Sequence, residues 1–304
     1  MIDFIRIYFT DKERIDRFIR DGRRKSTIQR QSRDGKDIIY TTWIQNLKLV
    51  STSKTTYLEG SLHAFSNALN GLTHKNEKRK WVNYNDFTFR DLIKVLDILE
   101  KKLGYDLSQT TISTCELGYN INTSVPAKEF IDKHVLMYKL RYPCYDPKYK
   151  EKMKIKKCDL ENYYLKIYDK SLQFGLSEHI LRFEIGFRSD ELRECDIHSL
   201  ADLADEDRLD LLHNSLMKKY NDLLVLDSYN GNSKMPEPER DMMRLFTNPQ
   251  FWVDTLLRGN KSKYNSRSKH KAEFERIVRV NKLDTKKLYL RNLIVEKYNY
   301  LISN

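Results

Sequence analysis

The sequence has 304 residues, of which 40% are hydrophobic, and its 55 Lys and Arg against 43 Asp and Glu give a net charge of +12. Such a chain can bury at least one large core. Its positive charge favours binding to nucleic acid first and to anionic membranes second. The alternative is that the charge only forms a solvated basic surface without a partner. No segment approaches the ~20 apolar residues of a membrane span, and the first apolar stretch is too short and interrupted for a signal peptide. The four cysteines contain no CxxC pair. We therefore expect a cytoplasmic protein with neither a zinc ribbon nor a disulfide framework.

Strand and helix patterns alternate along the first 188 residues. The predicted strands are Ile2–Phe9, two or more between Ile38 and Phe65, Thr110–Asn122, Tyr163–Lys170 and Ile180–Phe187, and the predicted helices are Lys12–Asp21, Phe87–Leu103 and Pro126–Leu140. This order predicts an α+β catalytic domain over residues 1–188. In it, helices pack on one face of a largely antiparallel sheet, and the other face is an open polar catalytic face.

Helical patterns dominate residues 189–304, which we predict to form a helical extension that binds DNA or packs on the first domain. Its longest candidate helix is Asp205–Leu226. Farther on, Lys261–Arg291 carries eleven Lys or Arg against three acidic residues. This stretch can be two helices joined at NKLDT, which resembles a helix-turn-helix, although ordinary helix packing gives the same pattern.

A lysine-rich segment, with six lysines from Lys148 to Lys157, predicts a basic loop between the last helix and the last two strands of the first domain. Together with the basic C-terminal stretch and two arginines of the polar face, it supplies the residues that we expect to contact DNA phosphates. These are Lys148, Lys150, Lys152, Lys154, Lys156, Lys157, Arg182, Arg188, Lys261, Lys263, Arg267, Lys269 and Lys271.

The polar face of the predicted sheet gathers acidic residues. Because successive strand residues alternate sides, Leu181, Phe183, Ile185 and Phe187 share one face, and Glu184 lies on the other. The same reasoning in the other strands brings Glu59, His63 and Glu116 to the polar face. Carboxylates and an imidazole can hold Mg²⁺ or Mn²⁺. An antiparallel sheet with one solvated face and no metal or catalytic site would show the same alternation of apolar and polar residues.

Tyr168 is the predicted nucleophile on this face. Lys166 and Lys170 flank it two residues away on either side, and positive charge favours the ionised phenol. Tyr164 shares the face and is the rival, but four strand residues span about 13 Å, which predicts that it cannot reach the same phosphate.

Four segments, in order, resemble the gene II/X family of filamentous-phage replication proteins and related rolling-circle plasmid initiators. They are LEGSLHAFSNALNG, TTISTCELGYNI, YLKIYDKSLQ and LRFEIGFR, between Tyr57 and Arg188. The resemblance implies a metal-dependent nickase that joins single-stranded or hairpin origin DNA to a tyrosine through a 5′-phosphotyrosine. The tyrosine then corresponds to Tyr168, and the acidic positions to Glu116, Glu184 and, more weakly, Glu59.

The sequence departs from the resemblance in its metal ligands. The His-hydrophobic-His pair of many rolling-circle enzymes is absent, and Glu116 stands where Asp is expected. The alternatives are a non-catalytic sequence-specific initiator or repressor, a relaxase or single-strand transposase, and, more distantly, an RNA-binding protein. A host helicase is a possible further partner of an initiator.

Overall fold

Nine antiparallel strands form the main sheet of the computed structural model, which describes residues 1–21, 27–32, 35, 37–74, 77–140, 142–145, 154–229, 234–257 and 261–304. The strands are β1 Ile2–Phe9, β2 Ile28–Gln31, β3 Ile38–Ile44, β4 Leu47–Ser51, β5 Thr56–Ser61, β6 Thr73–His74, β7 Glu77–Trp81, β8 Thr110–Asn122, β9 Val135–Tyr138, β10 Tyr142–Pro143, β11 Ile155–Asp159, β12 Tyr163–Asp169, β13 Ile180–Arg188 and β14 Leu223–Val225. The order in the main sheet is β11-β12-β13-β8-β1-β5-β4-β3-β2. The long strands β8 and β13 therefore lie at its centre.

The helices are α1 Lys12–Asp21, α2 Leu62–Leu69, α3 Phe89–Leu103, α4 Ala127–His134, α5 Lys170–Phe174, α6 Ser189–Glu194, α7 Glu206–Asn221, α8 Glu237–Phe246, α9 Pro249–Leu257, α10 Lys261–Val280 and α11 Thr285–Ile302. Local sequence sets the ends of α3. The Thr88 side chain accepts a hydrogen bond from the Asp91 N–H, and Asp91 accepts one from the Thr88 N–H. Gly104 then ends the helix at a φ of 57°, a left-handed conformation that glycine adopts readily.

Alternation within the central strands builds the main core. Phe183 and Ile185 of β13 are fully buried, as are Cys115 and Leu117 of β8. Helices α3, α6, α7 and α11 supply the other side of this core through their apolar stripes. The predicted α+β class, with an antiparallel sheet and a helical C-terminal region, is confirmed.

Several elements differ from the prediction. In the predicted basic loop, residues 155–159 form β11, because they pair with β12. The strand predicted to reach Phe65 ends at Ser61, whose side chain caps α2 by accepting a hydrogen bond from the Ala64 N–H. The predicted helix Pro126–Leu140 ends at His134 and continues as β9. Similarly, the helix predicted over Asp205–Leu226 ends at Asn221, and β14 follows and pairs with β9.

The residues after Arg188 divide between two cores. Leu290, Ile294 and Tyr298 of α11 lie in the main core, whereas Trp252 and Phe274 belong to a second core formed by α8–α10 with β9 and β14. The division predicted at residue 188 therefore does not coincide with the boundary between the cores. In the described part of the chain, no helix is both long enough and apolar enough to span a membrane.

We expect Ile294→Ala to lower the free energy of unfolding by about 2–5 kcal/mol, because it removes a fully buried side chain that packs against the sheet. The matched control is Leu288→Ala on the same helix, where the leucine is 51% exposed and the loss should be below about 0.5 kcal/mol. Urea unfolding followed by circular dichroism measures both. Equal midpoints for the two variants would contradict the packing of α11 on the sheet.

Candidate functional site

A β-bulge in β1 places Asp3 on the polar face of the sheet. Ile2 is opposite Leu117 and Ile5 is opposite Cys115, so two residues of β1 face the single residue Glu116 of β8. The extra residue reverses the alternation, and such bulges commonly re-aim a side chain. Without the bulge, Asp3 would share the apolar face with Ile5.

Three carboxylates meet at this point. Asp3, Glu116 and Glu184 each place one oxygen within 4.8 Å of an oxygen of the other two, and all three residues are buried. Glu184 is directly opposite Gly118, where an added Cβ would lie 2.4 Å from the Glu184 Cβ. The absence of a side chain at position 118 therefore leaves room for the Glu184 side chain.

Two cations already compensate the carboxylates. Lys166 Nζ donates to Glu116 at 2.6 Å and to Glu184 at 2.7 Å. Arg182, 1% exposed, donates to Glu184 at 2.5 Å and to Asp3 at 2.9 Å. A buried group keeps its charge at low energetic cost only when it is paired with an opposite charge in this way.

The pKa values of the three carboxylates follow from these pairings. Burial raises the pKa of Asp3, but the Arg182 guanidinium, the Lys170 charge and the hydrogen bond from Ser61 together outweigh burial and hold the pKa well below its usual range. Burial also opposes ionisation of Glu184, yet Lys166 and Arg182 lower its pKa to about 2. The pKa of Glu116 is raised, by burial first and then by the Glu184 charge. Glu116 is therefore the carboxylate most ready to take a proton.

Tyr168 lies beside the carboxylates and is 5% exposed. Its hydroxyl donates to Glu184 at 3.4 Å and accepts from Lys170 Nζ at 3.4 Å. Burial and then the Glu184 charge raise the pKa of Tyr168 well above its ordinary value. The expectation that nearby lysines favour its ionised form stays a prediction, and in this conformation burial and the Glu184 charge act in the opposite direction.

Lys170 is fully buried at the start of α5, where Nζ also donates to Asn83 at 2.6 Å. Burial, and then the Arg182 charge, lower the pKa of Lys170 to about 7. A substantial fraction of this amine is therefore neutral near pH 7, next to the Tyr168 hydroxyl.

Tyr164 also reaches the carboxylates. Its ring lies over Gly186, where an added Cβ would be 2.0 Å from the ring, and its hydroxyl donates to Glu116 at 2.5 Å. The expectation that Tyr164 is too far away considered only backbone spacing, and the side chain crosses the intervening strand. Both tyrosines therefore contact the same carboxylate cluster, although burial and then Glu116 raise the pKa of Tyr164.

The middle of the polar face is covered. Asn120 donates to the backbone carbonyls of Asn83 and Asn85, in the segment between β7 and α3. Tyr164 and Lys166 are only partly buried and lie toward the edge of this cover. The accessible side of the carboxylate cluster is therefore the side of Tyr164 and Lys166.

Two predicted metal ligands lie elsewhere. Glu59 is bound to Arg6 and Lys48 on β1 and β4, away from the carboxylate cluster. His63 lies on α2 rather than on a strand, donates from Nε2 to the Asn85 Oδ1 at 2.9 Å and stacks on Phe87. Strand alternation misplaced His63 because the strand ends before it.

The predicted DNA-contact residues divide into four groups. Arg182 is buried in ion pairs, which rules out phosphate contact in this conformation, and Arg188 donates to the carbonyls of Leu160 and Glu161. The second group lies in or next to β11 and makes ion pairs or hydrogen bonds; its members are Lys154, Lys156 and Lys157. The third group lies on α10 and has described side chains; its members are Arg267, Lys269 and Lys271. Lys148, Lys150 and Lys152 lie outside the described residues, as do the side chains of Lys261 and Lys263.

Stability should depend on pH through Lys170. Its pKa is about 7 when folded and roughly 10.4 when unfolded, so between these values the unfolded chain binds more protons and stability rises with pH. From pH 7 to pH 9, the stability of the wild type relative to Lys170→Met should rise by about 2 kcal/mol. Urea unfolding at both pH values measures this, with Lys101→Met, at an exposed helix position, as the control. If the difference in the free energy of unfolding between the wild type and Lys170→Met is the same at pH 7 and pH 9, the burial of the Lys170 amine is contradicted.

Comparisons with known proteins give one similar structure. No protein-family model and no curated protein matches the chain. A solved structure described as the rolling circle replication initiator protein from Geobacillus stearothermophilus is 11% identical and covers 77% of this chain and 88% of its own, with a TM-score of 0.40. A likeness at this TM-score carries no argument about the present chain. The resemblance to the gene II/X family stays a prediction.

Proposed function

We propose that this protein is a metal-dependent tyrosine nickase that cuts and rejoins single-stranded or hairpin origin DNA as a rolling-circle replication initiator. The observation that carries the proposal is the cluster of Asp3, Glu116 and Glu184 with two tyrosine hydroxyls hydrogen-bonded to it. The order of segments resembling phage initiators, within a chain of net charge +12, supports DNA as the substrate.

The carboxylates suit a hard divalent cation. Three oxygens from Asp3, Glu116 and Glu184 match the ligands that Mg²⁺ and Mn²⁺ prefer. Bound there, the ion would polarise the scissile phosphate and offset the charge on its oxygens. Lys166 Nζ bridges two of these ligands, so it must move when a cation binds. It can then contact the phosphate, since it lies at the exposed edge.

Tyr168 is the proposed nucleophile. Its hydroxyl oxygen forms a bond to the phosphorus, the bond from phosphorus to the 3′ oxygen breaks, and the 3′ oxygen takes a proton from solvent water and leaves as a hydroxyl. Lys170 accepts the phenol proton, since its Nζ is 3.4 Å from the hydroxyl and its pKa is about 7. The resulting ammonium stabilises the negative charge on the tyrosine oxygen. Opening of the cover over Tyr168 must precede attack.

The covalent adduct distinguishes the two tyrosines. Tyr168→Phe removes only a hydroxyl, so DNA binding should survive while the protein–DNA adduct disappears. Tyr164→Phe should retain the adduct. The measurement is a slower, SDS-resistant band after incubation with labelled single-stranded origin DNA and Mn²⁺. An adduct that persists in Tyr168→Phe and is lost in Tyr164→Phe would transfer the role to Tyr164, and no adduct at all with intact binding would favour a non-catalytic initiator.

Removing the bridging ammonium should strengthen metal binding. We expect Lys166→Met to bind Mn²⁺ about tenfold more tightly than the wild type, because charge-assisted hydrogen bonds no longer compete for Glu116 and Glu184. Asp3→Asn should bind it more weakly. Calorimetry and Mn²⁺ electron paramagnetic resonance measure the affinities independently of nicking.

Lys48→Met is the matched control for this measurement, because Lys48 pairs with Glu59 away from the cluster. Its Mn²⁺ affinity should equal that of the wild type. Circular dichroism establishes that each variant is folded. Equal Mn²⁺ affinity in folded Lys166→Met and wild-type protein would contradict a site on these carboxylates.

A further inference from the structure

Two of the four cysteines lie side by side at the base of the lysine-rich segment. Cys144 Sγ and Cys158 Sγ are 2.9 Å apart, and both residues are buried. Cys144 directly follows β10, and Cys158 lies in β11 at the edge of the main sheet. The two thiols are neighbours in space although 13 residues separate them in sequence.

The backbone pairing explains this approach. Tyr145 and Lys157 form an antiparallel bridge and exchange both N–H···O bonds. The adjacent pair, Cys144 and Cys158, therefore occupies a position without ladder hydrogen bonds, where Cα atoms are about 4.5 Å apart and side chains are closest. A disulfide needs Cα atoms about 4.4–6.8 Å apart, so the backbone is already placed for the bond.

We propose that Cys144 and Cys158 form a redox modification site that closes to a disulfide when a low-molecular-weight disulfide is supplied as oxidant. The thiolate of one cysteine attacks a sulfur of the oxidant, which forms a mixed disulfide and releases one small thiol. The second cysteine then attacks the protein sulfur of the mixed disulfide and releases the other small thiol. Two electrons leave the protein, and its two thiol protons end on the two released thiols.

Exposure sets the order of the two attacks. Cys144 is 9% exposed and Cys158 is 3% exposed, so Cys144 meets the oxidant first and Cys158 resolves the mixed disulfide. The hydrogen bond to Cys144, followed by burial, raises the pKa of Cys158, so Cys158 forms the attacking thiolate only rarely, which also disfavours it as the first nucleophile.

The bond would fix the sheet edge beside the tyrosines. Cys158 is opposite Leu165 in β12, and the neighbouring Lys157 Nζ lies 5.2 Å from the centre of the Tyr164 ring. Oxidation therefore constrains the strand that borders the candidate site, independently of whether that site nicks DNA.

The experiment treats the full-length folded protein with glutathione disulfide, blocks remaining thiols with iodoacetamide and maps peptides by mass spectrometry. We expect a peptide linked through Cys144 and Cys158, lighter by two hydrogens, and thiols at Cys115 and Cys195. The melting temperature should rise by about 5 °C after oxidation, since the bond closes a short loop of the unfolded chain.

Cys144→Ser and Cys158→Ser should each lose the linked peptide and the rise in melting temperature, whereas the control Cys195→Ser should retain both. Circular dichroism establishes that each variant is folded. Alkylation of Cys144 and Cys158 to the same extent as Cys195 after oxidation of the wild type would overturn the proposal. So would a disulfide that joins any other pair.

Discussion

Burial of charge in the middle of the sheet is the constraint on which the rest of the structure depends. Asp3, Glu116 and Glu184 are all buried, and each has a cation held against it. Arg182 binds two of them, and Lys166 binds two. Loss of one partner leaves an uncompensated buried charge, which is among the most destabilising changes a fold can suffer. Strands β1, β8, β12 and β13 are therefore tied together by the same ion pairs that build the candidate site.

Such a network can also serve chemistry. In this buried cluster, the pKa of Glu116 is raised and the pKa of Glu184 is lowered. Two chemically identical side chains can therefore take different roles, one as a proton carrier and the other as a fixed negative charge. The neighbouring Lys170, with a pKa of about 7, adds a proton acceptor close to the operating pH. Buried ion pairs often stabilise a protein no more than well-packed apolar residues of similar volume, so the presence of this network is weak evidence for a purely stabilising role.

Much of this arrangement follows from the sequence, and the part that does not has identifiable causes. Period-2 alternation placed Glu116, Glu184 and Tyr168 on one face, because β8, β12 and β13 pair in register without a break. The same alternation missed Asp3, since a bulge depends on pairing with a partner strand and leaves no local mark in the sequence. It also misplaced His63, where the helix cap at Ser61 ends the strand.

Other features depend on contacts that no local pattern records. The Tyr164 side chain extends from β12 across Gly186 of β13 to Glu116 of β8. Backbone spacing along one strand does not predict this contact. The cover over the polar face comes from the Asn83–Asn85 segment, which the sequence places only as a connection. The proximity of Cys144 and Cys158 follows from strand pairing rather than from cysteine spacing.

The position of α11 in the main core has a consequence for synthesis of the chain on the ribosome. Strand β8 is completed early, yet its apolar face is covered in part by residues 290–301, which emerge much later. The bond between Asp3 and Arg182 likewise joins residues 179 positions apart. Contacts between residues that are far apart in sequence slow folding. Until they form, apolar surface stays exposed to solvent. The nascent chain therefore leaves part of this apolar face uncovered until the residues of α11 have been made.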